Sequence, residues 1–219
     1  MTYEEMCAFE VLYRAYLSAR SGKRSKAGTA QYEANALACT DKLSRKLLNR
    51  TYAPSNFETF FVYEPKKRLV QAPAFVDKVV LHAATDNVLY DAITHSFIRD
   101  NHASQKGKGT HDGLMRLKQH MAEYYRRTGS ADGWVLKCDV RKFLASIDHN
   151  ILKAKLRALF LKRGVDMAFY DLLCIYIDTT AGLPLGYQTS QLLALLFLDE
   201  FDHIVKEKYG VKKYGRYMD

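Results

Sequence analysis

The chain has 219 residues, 48% of them hydrophobic and 26% charged, enough for one large domain or two small ones with a sizeable core. Lys and Arg (33) outnumber Asp and Glu (24), and the net charge of +9 suits a polyanionic partner without specifying a fold. Cys7, Cys39, Cys138 and Cys174 form no CxxC pair, so neither a disulfide framework nor a zinc site is suggested, and reduced thiols in a cytosol fit best.

The N-terminus, MTYEEMCAFE, carries acids where a secretory leader would carry basic residues. Met6, Phe9, Tyr13, Tyr16 and Leu17 recur at helical spacing, which predicts a helix over 2–20. The basic stretch SGKRSKAG (21–28) reads as an exposed turn. A second helix is expected over 30–49, with Leu37, Leu43 and Leu47 facing inward. The partly alternating, aromatic Asn56–Glu64 predicts a strand, Lys66-Lys67-Arg68 a tight connection, and Leu69–Ala72 a returning strand. A long apolar-periodic helix follows over 74–93, then the polar loop NHASQKGKG (101–109). Thr110 is placed as the cap of a helix reaching about Tyr125.

Trp134–Val140 predicts a strand. Asp148 is placed as the cap of a helix to about Leu161, and another helix is expected over about 166–178. The uncharged Ala181–Leu198 stretch is too interrupted by Gly, Pro and polar residues to cross a membrane; it reads as a loop entering a buried helix over Thr189–Lys208. Lys213–Asp219 is expected as a last strand. Helices outnumber widely separated strands, which gives an α+β class with helices packed on a small, mainly antiparallel sheet.

Alternation along WVLKCDV puts Trp134, Leu136 and Cys138 on one face and turns Asp139 to the other. Alone, Asp139 reads as a solvated aspartate at a strand end. If Lys213–Asp219 pairs beside that strand, Asp139 and Asp219 converge, and adjacent carboxylates repel unless a proton or cation lies between them. Hard oxygen ligands suit Mg²⁺, and paired ions stabilise both oxygens of an in-line phosphoryl transfer. His82, His95, His102, His111, His120, His149 and His203 form no metal-spaced cluster, and His149 reads as structural.

VLKCDVRKFLASID (135–148) resembles the first aspartate motif of reverse transcriptases, and YMD (217–219) the start of their Tyr-x-Asp-Asp motif. GLPLGYQTSQ (182–191) resembles the loop and helix that hold template and incoming base. EPKKRLVQAP (64–73) resembles the fingers hairpin, and KGKGTH (106–111) a block of the group-II-intron-like bacterial enzymes. Leu185 before Gly186, and Gln191 after Ser190, are most similar to the diversity-generating retroelement branch.

The resemblance implies a right-hand polymerase fold. It divides the chain into N-terminal helices and fingers (1–95), the first part of the palm (96–148), fingers and palm helices (149–180) and an incomplete palm (181–219), with no thumb. It implies RNA-directed DNA synthesis, error-prone opposite adenine, using an RNA template, a DNA or RNA primer and deoxynucleoside triphosphates. Mg²⁺, as two ions with Mn²⁺ as a substitute, would be held by Asp139, Asp219 and the Val140 carbonyl. Lys66 and Arg68 would contact the incoming triphosphate, where a solvated basic turn is the plainer reading. Leu144 stands where the family usually has an aromatic ribose gate, so sugar selection would be less strict; Phe143, beside it in the nucleotide pocket, reads as core. Leu185 and Gly186 would lie against the nascent pair. Lys106, Lys108, Ser190 and Gln191 would meet template or primer, or else serve only as loop and cap.

A structured RNA and a small basic accessory protein are the further partners implied, with a cytoplasmic setting and no membrane. The end at Asp219 reads as an interruption within the motif, which would leave the piece inactive on its own. Retron or abortive-infection enzymes, a template-independent nucleotidyltransferase and a non-catalytic nucleic-acid-binding relic remain as alternatives.

Overall fold

In the computed structural model, which describes every residue except Glu64 and Lys66, the chain is built mainly from helices. Thr2 caps α1 (Tyr3–Met6) through a reciprocal capping box with Glu5. A break at Cys7-Ala8 separates it from α2 (Phe9–Arg20), so the single helix expected over 2–20 is two. The helix expected over 30–49 is likewise split at Asn35 into α3 (Ala27–Ala34) and α4 (Ala36–Leu48). Leu43 and Leu47 are buried as expected, but Leu37 is exposed, because it falls to the side of the α4 face that turns Ala36, Thr40, Leu43 and Leu47 to the core.

Strands β1 (Glu58–Val62) and β2 (Arg68–Ala72) form an antiparallel hairpin, with Phe60 opposite Val70 and Val62 opposite Arg68. It is the whole of the sheet among the described residues. Its root is anchored by Asp77, fully buried, which accepts hydrogen bonds from the Tyr52 hydroxyl and the Ser55 amide. Burial pushes the Asp77 carboxyl above its ordinary range despite both bonds. Tyr52 in turn lies 2.5 Å, oxygen to oxygen, from the buried Tyr176 hydroxyl.

Helix α5 (Phe75–Ala84) continues through a π-turn (Thr85–Leu89) into α6 (Tyr90–Thr94), matching the long helix expected there. Helix α7 (Thr110–Thr128) starts after Gly109, so Thr110 is its first residue rather than its cap. Short α8 (Phe143–Ser146) precedes α9 (His149–Arg163), where the Asp148 carboxylate does accept from the Ile151 amide as a cap should. Then come α10 (Ala168–Ile177) and α11 (Gln188–Phe197). A kink at Leu198 ends α11, and α12 (Asp199–His203) with a further π-turn (Ile204–Lys208) completes what reads in sequence as one helix.

One continuous core runs from Tyr3 to Leu196. Helix α11 lies at its centre: Leu192 to Leu196 are buried without a break, the mark of a helix covered on all sides. Helix α9 meets it through Leu152, Leu156 and Phe160, one face at four-residue spacing. On the other side α5 packs against α2 and α11. No helix of the described residues is long and apolar enough to cross a membrane.

Two expected strands are absent. Residues 129–142 are irregular, and Trp134, Val135 and Leu136 are exposed. Residues 213–219 form only an isolated parallel bridge, Asn101 to Arg216. A strand needs a partner for its amides and carbonyls. The 213–219 segment spends its bonds on the 100–102 loop instead: the Arg216 amide donates to the Asp100 carbonyl and the His102 amide to the Arg216 carbonyl, each at 2.9 Å. The mixed helical architecture with a small antiparallel sheet remains, but the helices pack chiefly on one another, and the hairpin is half-buried only toward its root.

Candidate active site

The loop Gly182–Tyr187 is the centre of the arrangement. On one side the Leu183 amide donates to the Leu144 carbonyl at 2.8 Å. On the other the Gln71 amide of β2 donates to the Leu185 carbonyl at 2.8 Å. The loop therefore ties the turn that follows Asp139 to the base of the hairpin. Gly182 (φ +73°) lies so close to the Leu144 and Ala145 carbonyls that a Cβ would stand 2.6 Å from each. Gly186 (φ +122°) is crowded in the same way by the Gln71 carbonyl, at 2.7 Å. Gly186 is needed here for its contact with the hairpin backbone, a partner other than the nascent pair expected of it.

His149 accordingly has a structural place: its Nε2 lies 2.9 Å from the Gly182 carbonyl. Phe143 is buried edge-on against Phe197, with ring centroids 6.4 Å apart, as its core reading requires. Leu144 is half-buried and its carbonyl is engaged with the loop. Lys142, just before α8, adopts a left-handed conformation (φ +53°), uncommon for a side chain of its size.

Helix α11 leads from this loop to the C-terminal motif. Ser190 is buried in its first turn. Gln191 is exposed, and its Oε1 accepts from the Ser104 hydroxyl at 2.7 Å. The same hydroxyl lies 3.9 Å from the Met218 sulfur. Ser104 (φ +50°) therefore links the 101–109 loop, α11 and the YMD segment. Nothing in the sequence distinguishes it from other loop serines. Its neighbour Asn101 is wholly buried, and neither amide atom finds a partner among the described residues.

The aspartates are not brought together by strand pairing. Asp139 is exposed, and no hydrogen bond or ion pair among the described residues holds its carboxylate; Val140 is exposed beside it. Asp219 is half-buried, its amide donating to the Tyr217 carbonyl at 3.1 Å. Among the described residues no group of three or more His, Cys, Asp or Glu gathers for a metal. As donors, the carboxylates of Asp139 and Asp219 and the Val140 carbonyl are the hard oxygens that Mg²⁺ takes.

Arg68 is exposed at the end of β2 nearest the hairpin tip, while Lys66 falls outside the described residues. Lys67 covers the Phe61 ring, with its ammonium 4.3 Å from the centroid. The 106–109 loop differs from a bare phosphate cradle. The Lys108 ammonium donates to the Arg99 and Asn101 carbonyls at 3.0 Å each, and burial lowers its pKa. The Lys106 amide donates to the Tyr90 hydroxyl, and its ammonium sits over the same ring. Both lysines fasten the loop to its own surroundings.

This corner is rich in charge pairs. Hydrogen bonds from Arg99, then from the buried His102, hold the Asp112 carboxyl down at about 2. Burial works against ionised Asp100, but Arg116 and Lys206 outweigh it and its pKa is lowered. Depressed carboxylates stabilise the fold fully above their unfolded pKa, near 4, and lose that contribution as the pH falls through the folded value. Melting temperature is expected to decline between about pH 4 and pH 2, and Asp112→Asn to flatten that decline. An unchanged profile in the variant would separate the pair from acid stability.

Compared with protein-family models and with curated proteins, the chain matches none.

Proposed function

We propose that this chain carries the fingers and part of the palm of an RNA-directed DNA polymerase. It would add deoxynucleotides to a primer on an RNA template, with Mg²⁺ at Asp139 and Asp219 supplying the charge that stabilises the attacking and leaving oxygens. The resemblance of Leu185-Gly186 and Ser190-Gln191 favours the diversity-generating retroelement branch for this proposal. The observation that carries the reading is the Gly182–Tyr187 loop, which joins separate motif blocks: the hairpin base through Gln71 and the turn after Asp139 through Leu144. That blocks far apart in sequence meet at one loop supports the reading.

The test is oligo(dT) extension on poly(A). It compares the chain with the same chain carrying whatever its reading frame encodes beyond Asp219. Mg²⁺-dependent extension by the longer form is expected, removed by EDTA and reduced at least about 100-fold in Asp139→Ala, the order of effect seen when a transition-state charge partner is lost. No extension by either form, or full activity in the variant, rejects the reading.

A second reading rests on segments 129–142 and 213–219, which form no strand beside one another. On it the scaffold binds nucleic acid without turnover, and Asp139→Ala leaves binding unaltered.

A further inference from the structure

A small recess of about 70 Å³ opens beside the Gly186 turn, lined by Lys23, Lys78, Pro73, His82, Gly186 and Gln188. A larger one of about 190 Å³, between α2 and the π-turn, shares His82 with it and adds Arg14, Ser18 and Asp86. The two recesses adjoin at His82, and the smaller lies against Pro73 and Gly186 at the root of the hairpin, so they are taken together as one groove. The groove wall is held in place. The turn bearing Lys23 is closed by backbone bonds, Lys23 to the Arg20 carbonyl at 2.9 Å and Lys26 to the Lys23 carbonyl at 3.0 Å. Opposite it, the Gln188 amide donates to Asp86 at 3.3 Å, and Asp86 also faces the His82 ring at 3.2 Å.

The groove's charge is unbalanced. Among the described residues no carboxylate lies within 4.0 Å of the Lys23, Lys26 or Lys78 ammonium. Burial, and the like charge of Lys23, hold Lys78 below its ordinary pKa; Glu58 offsets part of this and Lys26 adds to it. Lys78 is half-buried and Lys23 is exposed at the mouth of the recess, so an anion between the two ammonium groups would be reachable from solvent and would offset their repulsion. Cationic side chains spread over two adjoining recesses, Lys23 and Lys78 in one and Arg14 in the other, suit a chain of phosphates better than one compact anion.

We propose that the groove formed by Lys23, Lys78, His82 and Gln188 is a binding track for the phosphodiester backbone of a single-stranded nucleic acid. This rests on the polymerase reading above for the strand's identity as template. Lys23 and Lys78 supply the phosphate contacts, and Gln188, the first residue of α11, carries the strand past Gly186 toward Gln191.

The test is fluorescence anisotropy of a labelled single-stranded oligoadenylate RNA across a salt series. Each phosphate contact on a single strand contributes about −0.7 to the slope of log K against log salt. Lys23→Ala/Lys78→Ala should bind more weakly and lose about 1.4 from that slope. Lys162→Ala/Arg163→Ala, the same charge removed at the end of α9, should keep it. An unchanged slope in the first variant, or equal loss in both, overturns the track. So does absence of RNA binding by the unaltered protein. A nucleoside triphosphate titrated in place of RNA gives a separate arm: if the first variant loses only triphosphate binding, the groove takes a small ligand and the proposal fails. Extension is measured independently. A slope loss in a protein that never extends a primer sustains the track and removes the polymerase, and extension with an unchanged slope does the reverse.

Discussion

Asp202→Ala is expected to destabilise the protein by about 3–5 kcal/mol, the cost of stranding a buried charge. Asp202 is fully buried and Arg216 nearly so. The guanidinium approaches both carboxylate oxygens, Nε at 2.8 Å from Oδ1 and Nη2 at 2.7 Å from Oδ2. The Tyr214 hydroxyl donates to the same carboxylate at 2.5 Å. Arg216 also reaches the Leu195 and Met218 carbonyls, so it joins α11, α12 and the C-terminal segment at one point. Removing the carboxylate leaves a cation among apolar helices with only carbonyls to meet it. For a chain of this length the melting temperature should fall by about 10 °C, at roughly 2–4 °C per kcal/mol. Asp202→Asn keeps an acceptor and should lose less. A fall of under about 2 °C in the alanine variant would mean that water replaces the carboxylate, at a cost well below that expected of a buried pair.

Gly182→Ala is expected to cost about 2–5 kcal/mol, combining the strain of a left-handed residue with overpacking. The added methyl would meet backbone carbonyls, which cannot turn aside as a flexible side chain would. Gly164, at φ +63° with open space around it, supplies the comparison. Gly164→Ala should cost only the backbone strain, about 1–2 kcal/mol. Denaturant titration of both variants decides the matter: equal losses would show that conformation alone, and not the contact with Leu144 and Ala145, makes Gly182 necessary. Because the Leu183–Leu144 bond sits next to this contact, the variant should also loosen the turn after Asp139.

The helices and the hairpin were legible because their signals are local. Leu152, Leu156 and Phe160 show their period directly, Asp148 announces a cap, and the aromatic β1 precedes a basic turn. Helix breaks were less visible. Asn35 and Leu198 interrupt apolar patterns that continue across them, and no Gly or Pro marks either place. The expected strands at 134–140 and 213–219 depended on each other, so a single competing bond set, Arg216 with Asp100 and His102, removes both. Alternation in sequence describes a strand's faces but not whether a partner is present. Of the candidate site, Gly186 was legible as a glycine with a steric role, whereas the crowding of Gly182 by the Leu144 and Ala145 carbonyls was not. Ser104, Lys108 and Arg216 were not, because their roles rest on contacts with residues brought near only by folding.

Trp134 is the chain's single tryptophan, and its exposure is that of an unfolded residue, 103% of the extended reference. Its indole is already in water before denaturation, so emission excited at the tryptophan band should barely move as the core melts. Unfolding must be followed by circular dichroism. The same indole becomes a local reporter for the stretch around Asp139. Anything that covers residues 134–140 should shift its emission to the blue, while events confined to the helical core leave it silent.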